Sequence, residues 1–185
     1  MKKTLIIIGV IVVVLGLYSW SAYNGLVTLR EGTTAQWQQV ETQYQRRFDL
    51  IPGIVNATKA VLIQEQKVFA DIADARSRYA GAATTNDKIA ATTQVESALS
   101  RLLVVMENYP VLKSSETVRD LMTQLEGTEN RIAVERGRFN DTVRGYNTTI
   151  KKFPKNVFAG MFGFDEVKYF EAQNGAEEAP KVELI

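Results

Sequence analysis

Thirteen consecutive positions near the N-terminus, Leu5 to Leu17 (LIIIGVIVVVLGL), hold nothing more polar than glycine. Lys2 and Lys3 precede them, Tyr18, Trp20 and Tyr23 follow, and no charge appears between Thr4 and Leu29. A helix that crosses ~30 Å of hydrocarbon needs roughly 20 mostly apolar residues. Thr4 to Tyr23 supplies that length, with Tyr18, Trp20 and Tyr23 suited to the aromatic belt at one interface. Leu5, Ile8, Val12, Leu15, Tyr18 and Trp20 are the residues this reading places in the membrane. A basic start, an apolar middle and small residues at Ser19 and Ser21 also describe a cleaved secretory signal. The retained anchor is the preferred reading.

Beyond the anchor the period is helical. Trp37, Val40, Tyr44 and Phe48 form one apolar stripe, and Gln36, Gln38, Gln39, Glu41, Gln43 and Gln45 form the opposite polar face. The anchor is therefore expected to run into a long helix that loosens at Gly25 and Gly32. Pro52 interrupts it, but the stripe resumes through Ile54, Val55, Thr58, Val61, Leu62, Val68, Ile72 and Ala75, which predicts a kinked continuation. Gly81 to Asn86 (GAATTN) reads as a turn, with Asn86 as the expected cap of the next helix. That helix carries Ile89, Val95, Leu99, Leu102, Leu103 and Met106, and Tyr109-Pro110 closes it. Ser114 or Ser115 caps another, whose seam of Val118, Leu121, Leu125, Ile132, Phe139, Val143, Tyr146 and Ile150 is close to coiled-coil spacing. Phe153-Pro154 ends it. The expected fold is all-α: a transmembrane helix continuous with an antiparallel bundle of three to four long helices.

The remainder differs in character. Six of 17 aromatics fall between Phe153 and Phe170, after which the chain turns small and acidic. The expected organisation is an anchor over 1–23, a bundle over 24–154, an aromatic segment over 155–172 and a flexible tail over 173–185, in which Val182, Leu184 and Ile185 could dock locally.

Composition narrows the chemistry. Net charge is +1, so no basic surplus invites nucleic acid. There is no Cys, which removes disulfides, thiol catalysis and thiolate metal sites. There is no His either, which removes His-based triads and the common zinc and di-iron helical sites. No catalytic residue, cofactor or metal ligand is assigned.

Several blocks, taken in order, resemble the LemA family of bacterial membrane-anchored helical proteins. They include Tyr23-Asn24-Gly25-Leu26-Val27, Trp37, the run Gln45 to Pro52 (QRRFDLIP), Ala75-Arg76 and the run Glu107 to Lys113 (ENYPVLK). The run Thr128 to Ala133 (TENRIA), Arg138-Phe139-Asn140, Tyr146-Asn147 and Phe162-Gly163-Phe164 complete the set. The resemblance implies an antiparallel bundle behind one membrane helix, and no established enzyme activity. Some relatives are associated with building intracellular membrane organelles, so it implies membrane shaping or scaffolding. One departure is Gly53, where the family usually has a larger polar residue, so a looser bend is expected there.

Arg46, Arg47 and Asp49, with Glu129 and Arg131 from the long seam, are expected to form a structural ion network. Glu129 falls near a core position between Leu125 and Ile132, where a polar group sets register at some cost in stability. Arg46 or Arg47 is its expected partner. The aromatic patch of Phe158, Met161, Phe162, Phe164, Tyr169 and Phe170 either packs on the bundle or meets a neighbouring subunit. Phe158, Phe162, Phe164, Tyr169 and Phe170 are the oligomer-contact candidates. Lipid is the least favoured occupant, because only Lys155 and Lys168 flank the patch in sequence.

The function expected is a non-enzymatic, self-assembling scaffold that organises or remodels the adjacent membrane. Its partners are other copies of itself and the bilayer. The alternative is a membrane-tethered adaptor for a protease, transporter or signalling partner. Lys2 and Lys3 favour a cytoplasmic N-terminus and a bundle on the periplasmic or extracellular side of the bacterial cell membrane, with a cytoplasmic bundle as the alternative.

Overall fold

The computed structural model describes residues 2–62 and 65–171. Its helices are α1 (Lys2–Thr58), α2 (Gln66–Gly81), α3 (Thr85–Glu107), α4 (Pro110–Ser114), α5 (Glu116–Lys151) and α6 (Lys155–Phe162). No strand occurs among the described residues. The chain is an all-α bundle extended at one end by a long apolar helix.

That extension is the first half of α1, which is a single helix of 57 residues. At ~1.5 Å per residue it is about 85 Å long. The expected loosening at Gly25 and Gly32 is absent, and Pro52 is accommodated inside the helix on its exposed side. Gly53 has a packing reason instead. A Cβ there would lie 3.3 Å from Leu121 Cδ2 of α5, so the glycine lets α5 close on α1.

The expected kinked continuation beyond Pro52 is corrected. The helix stops at Thr58, whose buried Oγ1 donates to Ile54 O at 2.7 Å. Val61 N and Leu62 N both turn back to Thr58 O, and Leu62 is fully buried at the bend. The chain then reverses, which brings Tyr79 of α2 against Tyr44 and Phe48 of α1 at ring separations of 5.5 and 5.0 Å. Residues 59–62 (KAVL) carry no glycine or proline. The full burial of Leu62 at the bend is the packing gain that accompanies the reversal.

Capping follows side-chain chemistry. Thr84, not Asn86, caps α3: its Oγ1 accepts from Asp87 N at 3.1 Å, and Asp87 adds a favourable charge in the first turn. Ser115 caps α5, accepting from Val118 N at 3.5 Å. Pro110 opens the short α4.

α1 and α5 pack along most of their shared length, and α2 and α3 form the second pair. Val118, Leu125, Ile132, Phe139 and Tyr146, seven apart, are all buried along α5. They meet α1 through contacts such as Trp37 edge-on to Phe139 at 5.6 Å. Leu99, Leu102 and Ile54 are also fully enclosed. A second, smaller cluster of Leu26, Tyr146, Ile150, Ala159 and Phe164 closes the bundle where it meets the apolar half of α1. Beyond it the large apolar side chains from Leu5 to Leu17 are bare, 52–68% exposed. The helix is unbroken at the expected 23/24 boundary, and Ala22 is already buried. The expected tail lies outside the described residues.

Candidate functional site

Two constellations stand out: a buried polar layer across the bundle, and an extended strap that fastens the aromatic segment to the membrane end.

The polar layer joins three helices. Tyr44 (α1) is fully buried, and its Oη donates to Glu96 Oε1 (α3) at 2.9 Å. Arg136 (α5) donates from Nη2 to the same Glu96 oxygen and to Tyr44 Oη. One turn along α1, Arg47 is buried and its Nη1 donates to Glu129 Oε2 of α5. Two guanidiniums and two carboxylates thus balance in charge. Burial pushes the Tyr44 phenol up to about 12, although Arg136 pulls the other way. Burial also lowers the Arg136 guanidinium from its ordinary value, against the attraction of Tyr44. Flanking pairs extend the layer: Lys88 Nζ to Glu41, and Gln36 Nε2 to Glu135 Oε2 at 2.8 Å. Arg136 also lies under the Phe170 ring, 4.8 Å from its centroid.

Of the five residues expected in an ion network, the structure brings Arg47 and Glu129 together. Arg46, Asp49 and Arg131 face solvent, and Asp49 accepts from Gln45 within its own helix at 2.8 Å. Glu129 lies beside the core position between Leu125 and Ile132 and not in it. Thr128 occupies it, and the Glu129 side chain is 45% exposed. Glu96 and Tyr44 complete the layer. Glu96 was not legible as a partner, because its position among α3's apolar residues gives no clue to what faces it.

The strap is the extended segment after α6. Gly163, at φ 71°, makes the left-handed turn out of that helix. Tyr146 Oη then donates to Asp165 O at 2.9 Å. Asn147 brackets Val167: its Nδ2 donates to Val167 O at 2.8 Å and its Oδ1 accepts from Val167 N at 3.1 Å. Asn140 brackets Phe170 in the same way. Asn86, displaced from its expected capping role, accepts from Lys168 N at 3.1 Å.

The strap explains where the aromatics go. Phe170 stacks on Trp37 with ring centroids 5.8 Å apart, and Phe164 is buried between Tyr23 and Arg30. Phe158 lies against Tyr18 at 5.6 Å, and Phe162 against Tyr23 at 5.1 Å. Four of the five oligomer-contact candidates thus pack within their own chain, while Tyr169 remains on the surface. The outward apolar face of this region is made by Phe153, Val157 and Met161. Phe153 and Val157 were missed because they flank the aromatic run rather than lead it.

For catalysis the arrangement offers little. The Glu96 carboxylate is committed to Arg136 and Tyr44. Among the described residues no group of three or more His, Cys, Asp or Glu gathers as metal ligands would. The polar layer can set the register of three helices; the membrane end presents one helix long and apolar enough to cross a bilayer.

Comparison with known proteins agrees with this architecture. The LemA family model matches residues 36–184. The magnetosome protein MamQ of Magnetospirillum gryphiswaldense is 29% identical over 174 residues, covering 80% of this chain and 64% of its own length. Magnetosome protein MamQ 2 of Paramagnetospirillum magneticum is 29% identical over 175 residues, with the same coverage. The chain therefore spans a little under two thirds of the length of these relatives.

Proposed function

The chain belongs to the LemA family, and on that premise we propose that it is a non-enzymatic scaffold that spans the cell membrane once, self-assembles and organises the bilayer beside it. The observation that carries this reading is the continuity of α1 from Lys2 to Thr58. An anchor joined to a domain by a flexible linker leaves the domain free to tumble. Here the anchor and the bundle share one helix, and α5 grips that helix down to Leu26. Every copy would therefore hold its bundle at one angle to the membrane, which is what an ordered array on a bilayer requires. That two relatives are magnetosome proteins lends support. The polar layer fits a structural part, since buried ionic groups are best attested as devices that fix register. Lys2 and Lys3 support a bundle on the periplasmic or extracellular side.

The mass of the full-length protein in mild detergent tests this reading, followed by imaging in liposomes. A large homo-oligomer that recurs on the vesicle surface is expected. A monodisperse monomer, above all one that co-purifies with a different chain, would replace the scaffold by an adaptor.

A further inference from the structure

The turn between α5 and α6 gathers Lys151, Lys152 and Lys155 around Phe153. Phe153 is 83% exposed, and Val157 and Met161 follow at intervals of four, 54% and 67% exposed. Val157 and Met161 lie one turn apart on α6, and Phe153 stands exposed in the turn that leads into that helix; large apolar side chains exposed so close together in the chain mark an interaction site.

The height of this face is fixed. Phe158 and Phe162, each one position after Val157 and Met161 and so about 100° round α6, rest on Tyr18 and Tyr23, the aromatics that end the apolar half of α1. Those two tyrosines are five residues apart, about 7.5 Å of helix axis. Amphipathic elements at a membrane surface bury their apolar side ~5–10 Å into the headgroup boundary, with Lys and Arg at the polar edge. Because Phe158 meets Tyr18 and Phe162 meets Tyr23, α6 runs in the same direction as α1, so Val157 and Met161 stand at the level of those tyrosines, while Phe153 lies towards the apolar half of α1 with lysines whose long stems reach back to a headgroup layer. Lys151 is paired with Glu166 Oε1 at 2.6 Å, which leaves Lys152 and Lys155 as the basic groups next to Phe153.

We propose that Phe153, Val157 and Met161 form a second membrane contact, a foot that enters the lipid interface beside α1, with Lys152 and Lys155 meeting anionic headgroups. The proposal rests on the reading that α1 spans the bilayer. Its occupant is the lipid surface, because the face is continuous with the bare apolar segment of α1 and stands at the level of that segment's aromatic end. A lone helix can rotate about its own axis in a membrane. A foot to one side of it selects one rotation, so the bundle's lateral faces point in defined directions.

The chain has no native cysteine, so single-cysteine variants of the full-length protein can carry an environment-sensitive dye. Phe153→Cys, Val157→Cys and Met161→Cys are compared with Val10→Cys in the anchor and with Val104→Cys, an exposed site on α3. Each is reconstituted in vesicles of mixed neutral and anionic phospholipid. Quenching by nitroxide-labelled lipid is set against quenching by aqueous iodide. The three foot positions should lose iodide quenching and gain lipid quenching, as Val10→Cys does, while Val104→Cys does the reverse. Iodide quenching at the foot with lipid quenching at Val10→Cys would overturn the foot and leave the anchor standing. Shielding from both quenchers, with Phe153→Cys pairs crosslinking between chains, would overturn it in favour of a subunit contact. Iodide quenching at Val10→Cys would remove the spanning reading and the foot with it.

Discussion

Asn140 and Phe170, thirty residues apart in sequence, exchange two hydrogen bonds, each 2.9 Å long: Asn140 Nδ2 to Phe170 O, and Phe170 N to Asn140 Oδ1. Asn147 holds Val167 in the same manner. The two asparagines are seven residues apart on a helix, about 10.5 Å at 1.5 Å per residue. Their partners are three residues apart on extended backbone, about 10 Å at 3.3 Å per residue. Helix and strap share a repeat, so one face of α5 serves as a ladder for backbone that no strand accompanies. This satisfies N–H and C=O groups that would otherwise lie against the bundle unpaired.

Asn140→Ala should therefore cost about 1–3 kcal/mol, since it leaves both backbone groups of Phe170 without their partner. Chemical denaturation measures the loss. Limited proteolysis should show earlier cleavage within residues 163–171 than in the parent. Unchanged stability together with an unchanged cleavage pattern would mean that the strap is held by Phe170 stacking alone.

In the polar layer, Glu96→Gln removes a buried charge that compensates the partly buried Arg136, and removing one partner of a buried pair costs about 3–5 kcal/mol. Glu129→Gln strands Arg47, which is buried more deeply than Arg136, and should also be costly, at about 3 kcal/mol, the lower end of the same range because the Glu129 carboxylate is itself half exposed. Urea unfolding of both variants measures the losses. A loss within ~0.5 kcal/mol at either site would show that its arginine is hydrated rather than held by the carboxylate.

Alkaline titration offers an independent check. Tyr44 binds its proton more tightly folded than unfolded, since burial raises it from 10.0 to about 12. Its contribution to stability is fully present below pH 10 and is lost as pH rises from there towards 12, by at most ~1.4 kcal/mol per pH unit. Tyrosinate absorbance should show a late-titrating group that Tyr44→Phe removes. Titration of every tyrosine near pH 10 would show that water reaches the layer.

Core truncations should be severe. Leu99→Ala, Leu125→Ala and Ile132→Ala each empty a fully enclosed site and should cost about 2–5 kcal/mol. Thermal or urea unfolding in detergent measures this, and a loss within ~0.5 kcal/mol would place that residue at the surface.

Topology can be read in cells. On the proposed orientation, with Lys2 and Lys3 on the cytoplasmic side, a reporter fused after Ile185 should behave as exported. Activity there of a reporter that works only in the cytoplasm would reverse the orientation.

The sequence by itself determined the periodic features. The stripe from Trp37 to Phe48 and the seven-residue seam of α5 repeat with the helix, so their burial follows from spacing, while the unbroken apolar run from Leu5 to Leu17 marks its segment by length and composition. It also carried the Arg47–Glu129 pairing among its alternatives, because the two lie beside facing stripes. What it could not carry were relationships between segments distant along the chain. The end of α1 at Thr58 has no glycine or proline to announce it, and the enclosure of Leu62 that accompanies it belongs to the tertiary structure. Glu96 meets Arg136 because two helices forty residues apart in sequence bring them to one level. The asparagines of α5 look like ordinary polar positions until the strap is laid over them. Lys151 and Lys152 belong to the end of one helix by sequence, and only the return of α6 along α1 places them beside an apolar face. Periodicity is a local property of the backbone, whereas pairing depends on how the helices are brought together, which packing sets.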